Sequence, residues 1–227
     1  MKQIIAIILL ALNLMPAIVK ADALQHAVQQ IESKWAHIHY NVANKQQVVA
    51  YTQLLTEVEA LNIRHPDQAE LIIQQAIIIA SNAENIGAFS ALSAINQARE
   101  LLLRAIELNP DASEGAAYVT LGSLYYMVPS WPIAYGDNDK ARKMLQKALT
   151  INPNTIDANY FYGDFLASQG QQAEALTYFK RAVLIPVRST QVFADSQLHA
   201  QAKQAIIDNS QALAVNKQEF TIAYGKQ

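Results

Sequence analysis

The sequence predicts an all-α fold, an array of helical hairpins (an α-solenoid) with capping helices at both ends. Composition is the first observation: the 227 residues are 52% hydrophobic and include only 7 Gly and 7 Pro, which disfavours disordered and turn-rich sheet classes. The second is that long stretches rich in Ala, Gln, Leu, Ile and Glu favour helix. The third is a helix ending that recurs three times, each time closed by a proline.

Charge and cysteine content exclude several classes of function. The chain has no cysteine, which removes disulfides, thiol catalysis, Cys-ligated zinc and the acylated cysteine of a lipoprotein. Without residues 1–21, 15 basic and 19 acidic residues remain, a net charge of −4. Acidic residues outnumber basic ones, and no more than two basic residues are adjacent, so neither nucleic acid nor an anionic membrane is the expected partner.

Residues 1–21 are predicted to be a signal peptide. Lys2 precedes an apolar run of about twelve residues, Ile4–Met15, which is shorter than the ~20 residues of a spanning helix. Val19 and Ala21 place small or aliphatic residues where a signal peptidase reads. We therefore expect cleavage after Ala21 and, in a bacterium with two membranes, a periplasmic product without a transmembrane segment. The alternative is that the segment is kept as an anchor.

Two helices are predicted before the repeats, over about residues 22–39 and 45–64, and residues 22–65 are interpreted as an N-terminal cap. Apolar residues recur at helical spacing in both. They are Ile31, Trp35 and Ile38 in the first helix, and Val48, Tyr51, Leu55, Val58 and Leu61 in the second. Such amphipathic helices suit a cap packed on the first hairpin better than a recognition element.

Three segments share one pattern: Ala98–Pro110, Ala141–Pro153 and Ala175–Pro186. Each starts with a small residue, has a bulky residue four positions later, an alanine three positions after that, and a final proline that stops the helix. Spacings of four and three keep these side chains on one helical face. The alanines, Ala105, Ala148 and Ala182, indicate that another helix comes very close there.

The preceding helices extend the pattern. Tyr118, Leu121, Gly122 and Tyr125 follow an aromatic-x2-L-G-x2-Y motif. A weaker version of it recurs in the next unit as Asn159, Tyr162, Gly163 and Leu166. In these features the chain resembles the tetratricopeptide repeat (TPR) family, in which helical hairpins of about 34 residues stack. The resemblance implies a TPR-like right-handed helical-hairpin array over residues 66–186. Its first unit, opening with a helix over 66–85, is a degenerate repeat or a capping hairpin.

The middle unit contains an inserted loop over residues 127–139, rich in proline and aromatic residues. Proline makes such a loop stiff, so it is either packed as structure or exposed as a binding element. We favour Trp131 as a plug that folds back onto the hairpin, with a ligand-contacting lip as the alternative. Tyr135 and Asp137 are the loop's candidate contact residues, and Asp139 is the predicted N-cap of the next helix.

The concave face of the array is the other candidate site. Asp157, Tyr160 and Asp164 share one face of the last unit's first helix, and Tyr126 lies on the equivalent stripe of the middle unit. Two tyrosines and two carboxylates suit a peptide, a basic tail or a sugar-like ligand. The alternative is that Tyr126 and Tyr160 only fill space between hairpins.

After the repeats, residues 187–227 are predicted to form a connector over 187–195, a capping helix over 196–213 and a tail over 219–227. The helix presents apolar residues that would close the far end of the array. They are Leu198, Ala202, Ala205, Ile206 and Leu213.

Catalysis and metal binding are not expected. Asp157 and Asp164 stand two helical turns apart, ~10 Å, beyond the spacing of an inverting glycosidase pair. His37 and His39 point away from each other on a helix, and no nucleophile, zinc or nucleotide motif occurs. The sequence therefore predicts no enzyme, no cofactor and no metal.

The sequence of the inserted loop makes the resemblance to TPR proteins more specific. The segment Y-Y-x-V-P-x-W-P-x-x-Y-G-D, over residues 125–137, is similar to that of a group of exported proteobacterial TPR proteins. More distantly, the chain resembles the TPR-containing T component of tripartite (TRAP-type) transporters. The first resemblance implies a periplasmic adaptor that binds another protein or a peptide segment. The second implies a small-ligand-binding accessory whose partner is a transporter substrate-binding protein, with the loop closing over a pocket.

Overall fold

A computed structural model describes the backbone of residues 2–224 and the side chains of residues 22–215. The described chain is all-α, as predicted, with a single isolated bridge between Ser130 and Gly136. The helices are α1 (Lys2–Asn41), α2 (Asn44–Arg64), α3 (Ala69–Ala83), α4 (Ala88–Leu108), a 3-10 turn (Ala112–Gly115), α5 (Ala116–Met127), α6 (Asn138–Ile151), α7 (Ile156–Ser168), α8 (Gln172–Leu184) and α9 (Val192–Tyr224).

The predicted hairpins are present as α3–α4, α5–α6 and α7–α8, stacked in chain order into an α-solenoid. Their contact positions need small residues. A Cβ on Gly122 would lie 2.7 Å from Cγ of Leu145, and one on Gly163 would lie 3.0 Å from the ring of Phe179. Ala105, Ala148 and Ala182 are each 0% exposed. The recurring four-and-three spacing therefore marks the packed face of each second helix.

Helices α3 and α9 start at other residues than predicted. Helix α3 begins at Ala69 rather than at residue 66, because Asp67 has a φ of 59° and cannot continue a right-handed helix. Helix α9 begins at Val192, four residues earlier than expected, and the backbone N–H of Asp195 already bonds to the carbonyl of Gln191.

The predicted tail is helical as far as it is described. Helix α9 continues to Tyr224, because neither glycine nor proline interrupts the sequence from residue 192 until Gly225. Residues 225–227 of the tail lie outside the described residues. The signal-peptide prediction falls on residues whose side chains are not described; along the backbone, α1 begins at Lys2. None of the described helices combines the length and the hydrophobicity of a membrane-spanning segment.

The two ends of the array approach each other. Helix α1 packs against α2 and α3 through an apolar cluster that includes Val28, Ile31 and Ile38. It also contacts the start of α9, which packs on α7 and α8 at the far end of the array. Helix α1 thus belongs to the N-terminal end of the solenoid and also touches its C-terminal end.

Candidate functional site: the loop and the concave face

The inserted loop has a fixed backbone. The N–H of Gly136 donates to the carbonyl of Pro129 (3.0 Å), and the N–H of Asp137 donates to that of Tyr125 (2.8 Å). Only glycine fits at position 136, because a Cβ there would lie 2.2 Å from the carbonyl oxygen of Val128. These bonds tie both ends of the loop together at the end of α5.

Tyr135 anchors the loop to the first hairpin. Its hydroxyl donates a hydrogen bond to the carbonyl of Ile95 in α4 (2.8 Å), and its ring meets Tyr125 edge-on with centroids 5.7 Å apart. The Arg99 guanidinium lies 4.6 Å from the ring centroid, a cation–π distance. Burial raises the pKa of Tyr135 well above its usual range, so the hydroxyl remains a donor. Tyr135, a candidate contact residue, thus also anchors the loop.

Trp131 stands at the tip of the loop and is 86% exposed. The plug interpretation is therefore wrong. Tyr135 packs on the hairpin where a plug was expected, and Trp131 points away from the protein. Ile133 (64% exposed) and Met127 (55% exposed) lie in the same loop, so the tip presents an apolar surface to solvent.

Asp137 caps α6. Its Oδ1 accepts hydrogen bonds from the backbone N–H groups of Asp139 (3.1 Å) and Lys140 (3.0 Å), and the bond from Lys140 lowers the pKa of Asp137. The predicted cap, Asp139, is instead inside the first turn. Sequence reasoning placed the cap two residues late because both positions carry an aspartate, and either suits an N-cap.

On the predicted concave face, Tyr126 and Asp164 bond to each other. The Tyr126 hydroxyl donates to Oδ2 of Asp164 (2.7 Å), which links α5 to α7, and the Tyr126 ring meets Phe165 at 5.6 Å between centroids. Burial and the Asp164 carboxylate raise the pKa of Tyr126 well above its usual range. This pair joins two neighbouring hairpins, in agreement with the space-filling alternative for Tyr126.

Tyr160 and Asp157 lie at the last hairpin. The Tyr160 ring contacts Phe161 and Phe179, with centroids 5.2 and 5.8 Å away, and burial raises the pKa of Tyr160 to about 12. Asp157 receives a hydrogen bond from Arg188 (3.1 Å) and keeps 38% of its side-chain surface open. Burial among the surrounding helices raises the pKa of Asp157, and Arg188 opposes the shift.

Arg188 and Asp195 were not predicted as part of this face. The guanidinium of Arg188 donates to both carboxylate oxygens of Asp195 (2.6 and 3.0 Å) as well as to Asp157, and Asp195 is only 1% exposed. Bidentate pairing of this kind is strong and directional. The sequence signal that could have revealed it is the acidic residue seven positions after Arg188, at the start of a helix.

Glu32 of α1 is a second residue that sequence reasoning missed. It accepts hydrogen bonds from Gln74 of α3 (3.0 Å) and from Gln191, next to α9. Burial raises the pKa of Glu32 to about 7, and the nearby Arg188 partly counteracts this. No local pattern could have found it, since Glu32 and Gln191 are 159 residues apart in sequence.

Cavities border α1 rather than the loop. An open cleft of about 410 Å³ is lined by His26, Gln29, Gln30, Ser33, Lys34 and Thr190, and a smaller cavity of about 80 Å³ lies between α1 and residues 190–194. Neither is lined by residues 127–139, so the loop is not a lid over these two cavities. Among the residues that the structure describes, no group of three His, Cys, Asp or Glu side chains is placed to hold a metal.

Comparison with known proteins agrees with this architecture. Residues 133–194, from the loop to the start of α9, match the Tetratricopeptide repeat family. The fold is similar to that of TTC0263, a thermophilic TPR protein of Thermus thermophilus, at 15% identity and a TM-score of 0.52, over 79% of this chain and 99% of that one. These findings show a tetratricopeptide-repeat match over residues 133–194 and a similar fold over a longer part of the chain. TPR domains bind protein partners, and TPR proteins are generally interaction modules rather than enzymes.

Another matching solved structure is that of MamA, at 18% identity and a TM-score of 0.43, over 79% of this chain and 95% of that one. No curated protein matches the chain.

Proposed function

We propose that this chain is an exported adaptor that acts in the periplasm and binds a protein partner through the exposed tip of the 127–139 loop. The observation that carries the proposal is the 86% exposure of Trp131 on a loop whose backbone and anchor are fixed. Export rests on the signal-peptide prediction for residues 1–21.

A fixed loop is well suited to binding. An exposed tryptophan on a mobile loop must be ordered when a partner binds, and this ordering reduces affinity. Here Tyr135 and the backbone bonds of Gly136 and Asp137 hold the loop before a partner arrives. Tryptophan is also among the residues that contribute most to protein interfaces. The tip therefore suits an apolar pocket on the partner that receives Trp131 and Ile133.

The alternative function is a small-ligand-binding accessory of a TRAP-type transport system. Its support is the distant resemblance to the T component together with predicted export. A loop that closes over a ligand pocket would favour it, but the two cavities described above border α1 instead. The adaptor function accounts better for an apolar tip that faces solvent.

The test places a photo-crosslinking amino acid at position 131 in the full chain, expressed in its own host. Position 89 is the matched control, because Phe89 is also an aromatic residue and is 89% exposed. We expect a discrete crosslinked protein from position 131 and none from position 89. The purified partner should then bind Trp131→Ala at least about tenfold more weakly than Phe89→Ala.

Equal crosslinking at both positions, or equal affinity of both variants, would refute the loop as the binding element. Cell fractionation and N-terminal sequencing of the mature protein test export separately. The expected first residue is Asp22, and recovery of the protein in the cytoplasm with residues 1–21 intact would refute the periplasmic assignment.

A further inference from the structure

We propose that the contact between α1 and residues 188–193 is a clasp that closes the concave face of the array and can open without unfolding the hairpins. This contact is separate from the loop, so the inference does not depend on the proposed function. Its two halves come from the first and last parts of the chain, and its opening would uncover the inner face of the last hairpin.

The two sides of α1 differ in chemistry. On one side, Val28, Ile31 and Ile38 are buried against α2 and α3. On the other, Glu32 bonds to Gln191, and Tyr40 meets Phe193 edge-on with centroids 6.0 Å apart. Apolar burial makes the first interface strong. The second interface is small, partly polar and leaves the cavity of about 80 Å³ unfilled, so it is the one that opens at lower cost.

The clasp lies next to residues that were expected to face a partner. Arg188, at its C-terminal side, bonds to Asp157 of α7. Tyr40 of α1 lies near Asp157 and Tyr160. Burial is the main cause of the raised pKa of Tyr40, and both neighbours raise it further. Separation of α1 from residues 188–193 would therefore move Tyr40 away from Asp157 and Tyr160, while Arg188 stays bonded to Asp157.

Glu32 makes the clasp sensitive to pH. The groups that face it are Gln74 from α3, Gln191 and Arg188 from the segment before α9, Asp195 from α9 and Asp157 from α7. Burial raises its pKa to about 7 in the closed structure, whereas an ordinary glutamate has a pKa of 4.5. The closed form thus binds the proton more tightly than a solvated open form does. Closure is favoured below pH 4.5 and weakens as the pH rises toward 7.

The hydrogen bonds are compatible with both protonation states. The ionised carboxylate accepts from the amide N–H groups of Gln74 and Gln191. A protonated Glu32 can donate a hydrogen bond to the side-chain oxygen of Gln191 if the Gln191 side-chain amide rotates by 180°. Glu32→Gln should therefore mimic the neutral state and keep the clasp closed at all pH values.

A single introduced cysteine measures opening, because the chain has none of its own. Ala36 is 1% exposed and lines the small cavity with Ser33 and Phe193, so the thiol of Ala36→Cys reacts only when the clasp opens. Ser90→Cys, at an exposed site on α4, gives the rate of a free thiol at each pH. Ala105→Cys, at a fully buried site between hairpin helices, reports global opening.

We expect the labelling rate of Ala36→Cys, divided by that of Ser90→Cys, to rise about tenfold or more between pH 5 and pH 8. The same ratio for Ala105→Cys should not rise. Adding Glu32→Gln to Ala36→Cys should abolish the rise. Three results would each overturn the clasp: a ratio that does not change with pH, an equal rise in Ala105→Cys, or a rise that persists with Glu32→Gln.

Discussion

At the scale of single residues, two aromatic side chains of one loop have opposite roles. Tyr135 points inward, bonds to Ile95 and contacts Tyr125, while Trp131, four positions earlier, is 86% exposed. The loop therefore uses one aromatic residue for its own stability and leaves the other free for contact. Substitutions at the two positions should separate stability from binding.

Trp131→Ala should change the free energy of unfolding by no more than about 0.5 kcal/mol, since the side chain loses few contacts. Tyr135→Phe should cost about 1 kcal/mol, because it removes the hydrogen bond to Ile95 while keeping the ring. Urea denaturation of both variants measures the difference. A large loss of stability in Trp131→Ala would indicate that its indole is packed after all.

Gly136→Ala tests the fixed backbone of the loop. The new Cβ would lie 2.2 Å from the carbonyl oxygen of Val128 and 2.9 Å from that of Pro129, and backbone atoms cannot move aside as a flexible side chain can. We expect a loss of at least about 3 kcal/mol. Gly87→Ala is the control, because nothing lies within 4 Å of its Cβ position, and its weaker N-cap should cost at most about 1 kcal/mol. Similar melting temperatures for the two variants would contradict the loop geometry.

At the scale of helices, the array depends on small residues where two helices touch. Ala148 of α6 is 0% exposed and contacts Val119 of α5 and Ala158 of α7, so it joins one hairpin to the next. Its counterparts Ala105 and Ala182 are equally buried. The recurring alanine in the sequence therefore corresponds to a recurring close contact between helices.

Ala148→Leu should overpack this contact and cost roughly 1 to 3 kcal/mol. Lys147→Leu places the same residue one position earlier on the exposed side of α6 and should change stability by no more than about 0.5 kcal/mol. Thermal denaturation of both variants distinguishes the packed face from the solvent face. Equal stability of the two would contradict the assigned repeat register.

At the scale of the whole molecule, Glu32 couples α1, α3 and the start of α9. Its pKa of about 7 lies above the ordinary value of 4.5, so its contribution to stability is complete below pH 4.5 and decreases as the pH rises to 7. Glu32→Gln should match the unmodified protein at pH 5 and exceed its free energy of unfolding at pH 8 by up to about 3 kcal/mol. Chemical denaturation at the two pH values measures this, and parallel pH profiles would argue against a raised pKa.

Local sequence patterns were sufficient to predict the helical array. Residues three and four positions apart share a helical face whatever lies elsewhere in the chain, so Ala105, Ala148 and Ala182 could be identified as contact positions and the loop as an insertion. Two helix limits were less well predicted. The positive φ of Asp67 delays the start of α3. After residue 213, the absence of helix breakers allows α9 to continue to Tyr224.

Which aromatic residue of the loop packs inward, and how the ends of the array meet, could not be predicted from local patterns. Trp131 and Tyr135 are both suited to packing, and the choice depends on reaching Ile95, which lies 40 residues before Tyr135. Glu32 and Gln191 meet because stacked hairpins bring α1 back to the start of α9 across 159 residues. Such contacts depend on the packing angles between all the intervening helices, added along the array. No local sequence pattern determines the total of these angles.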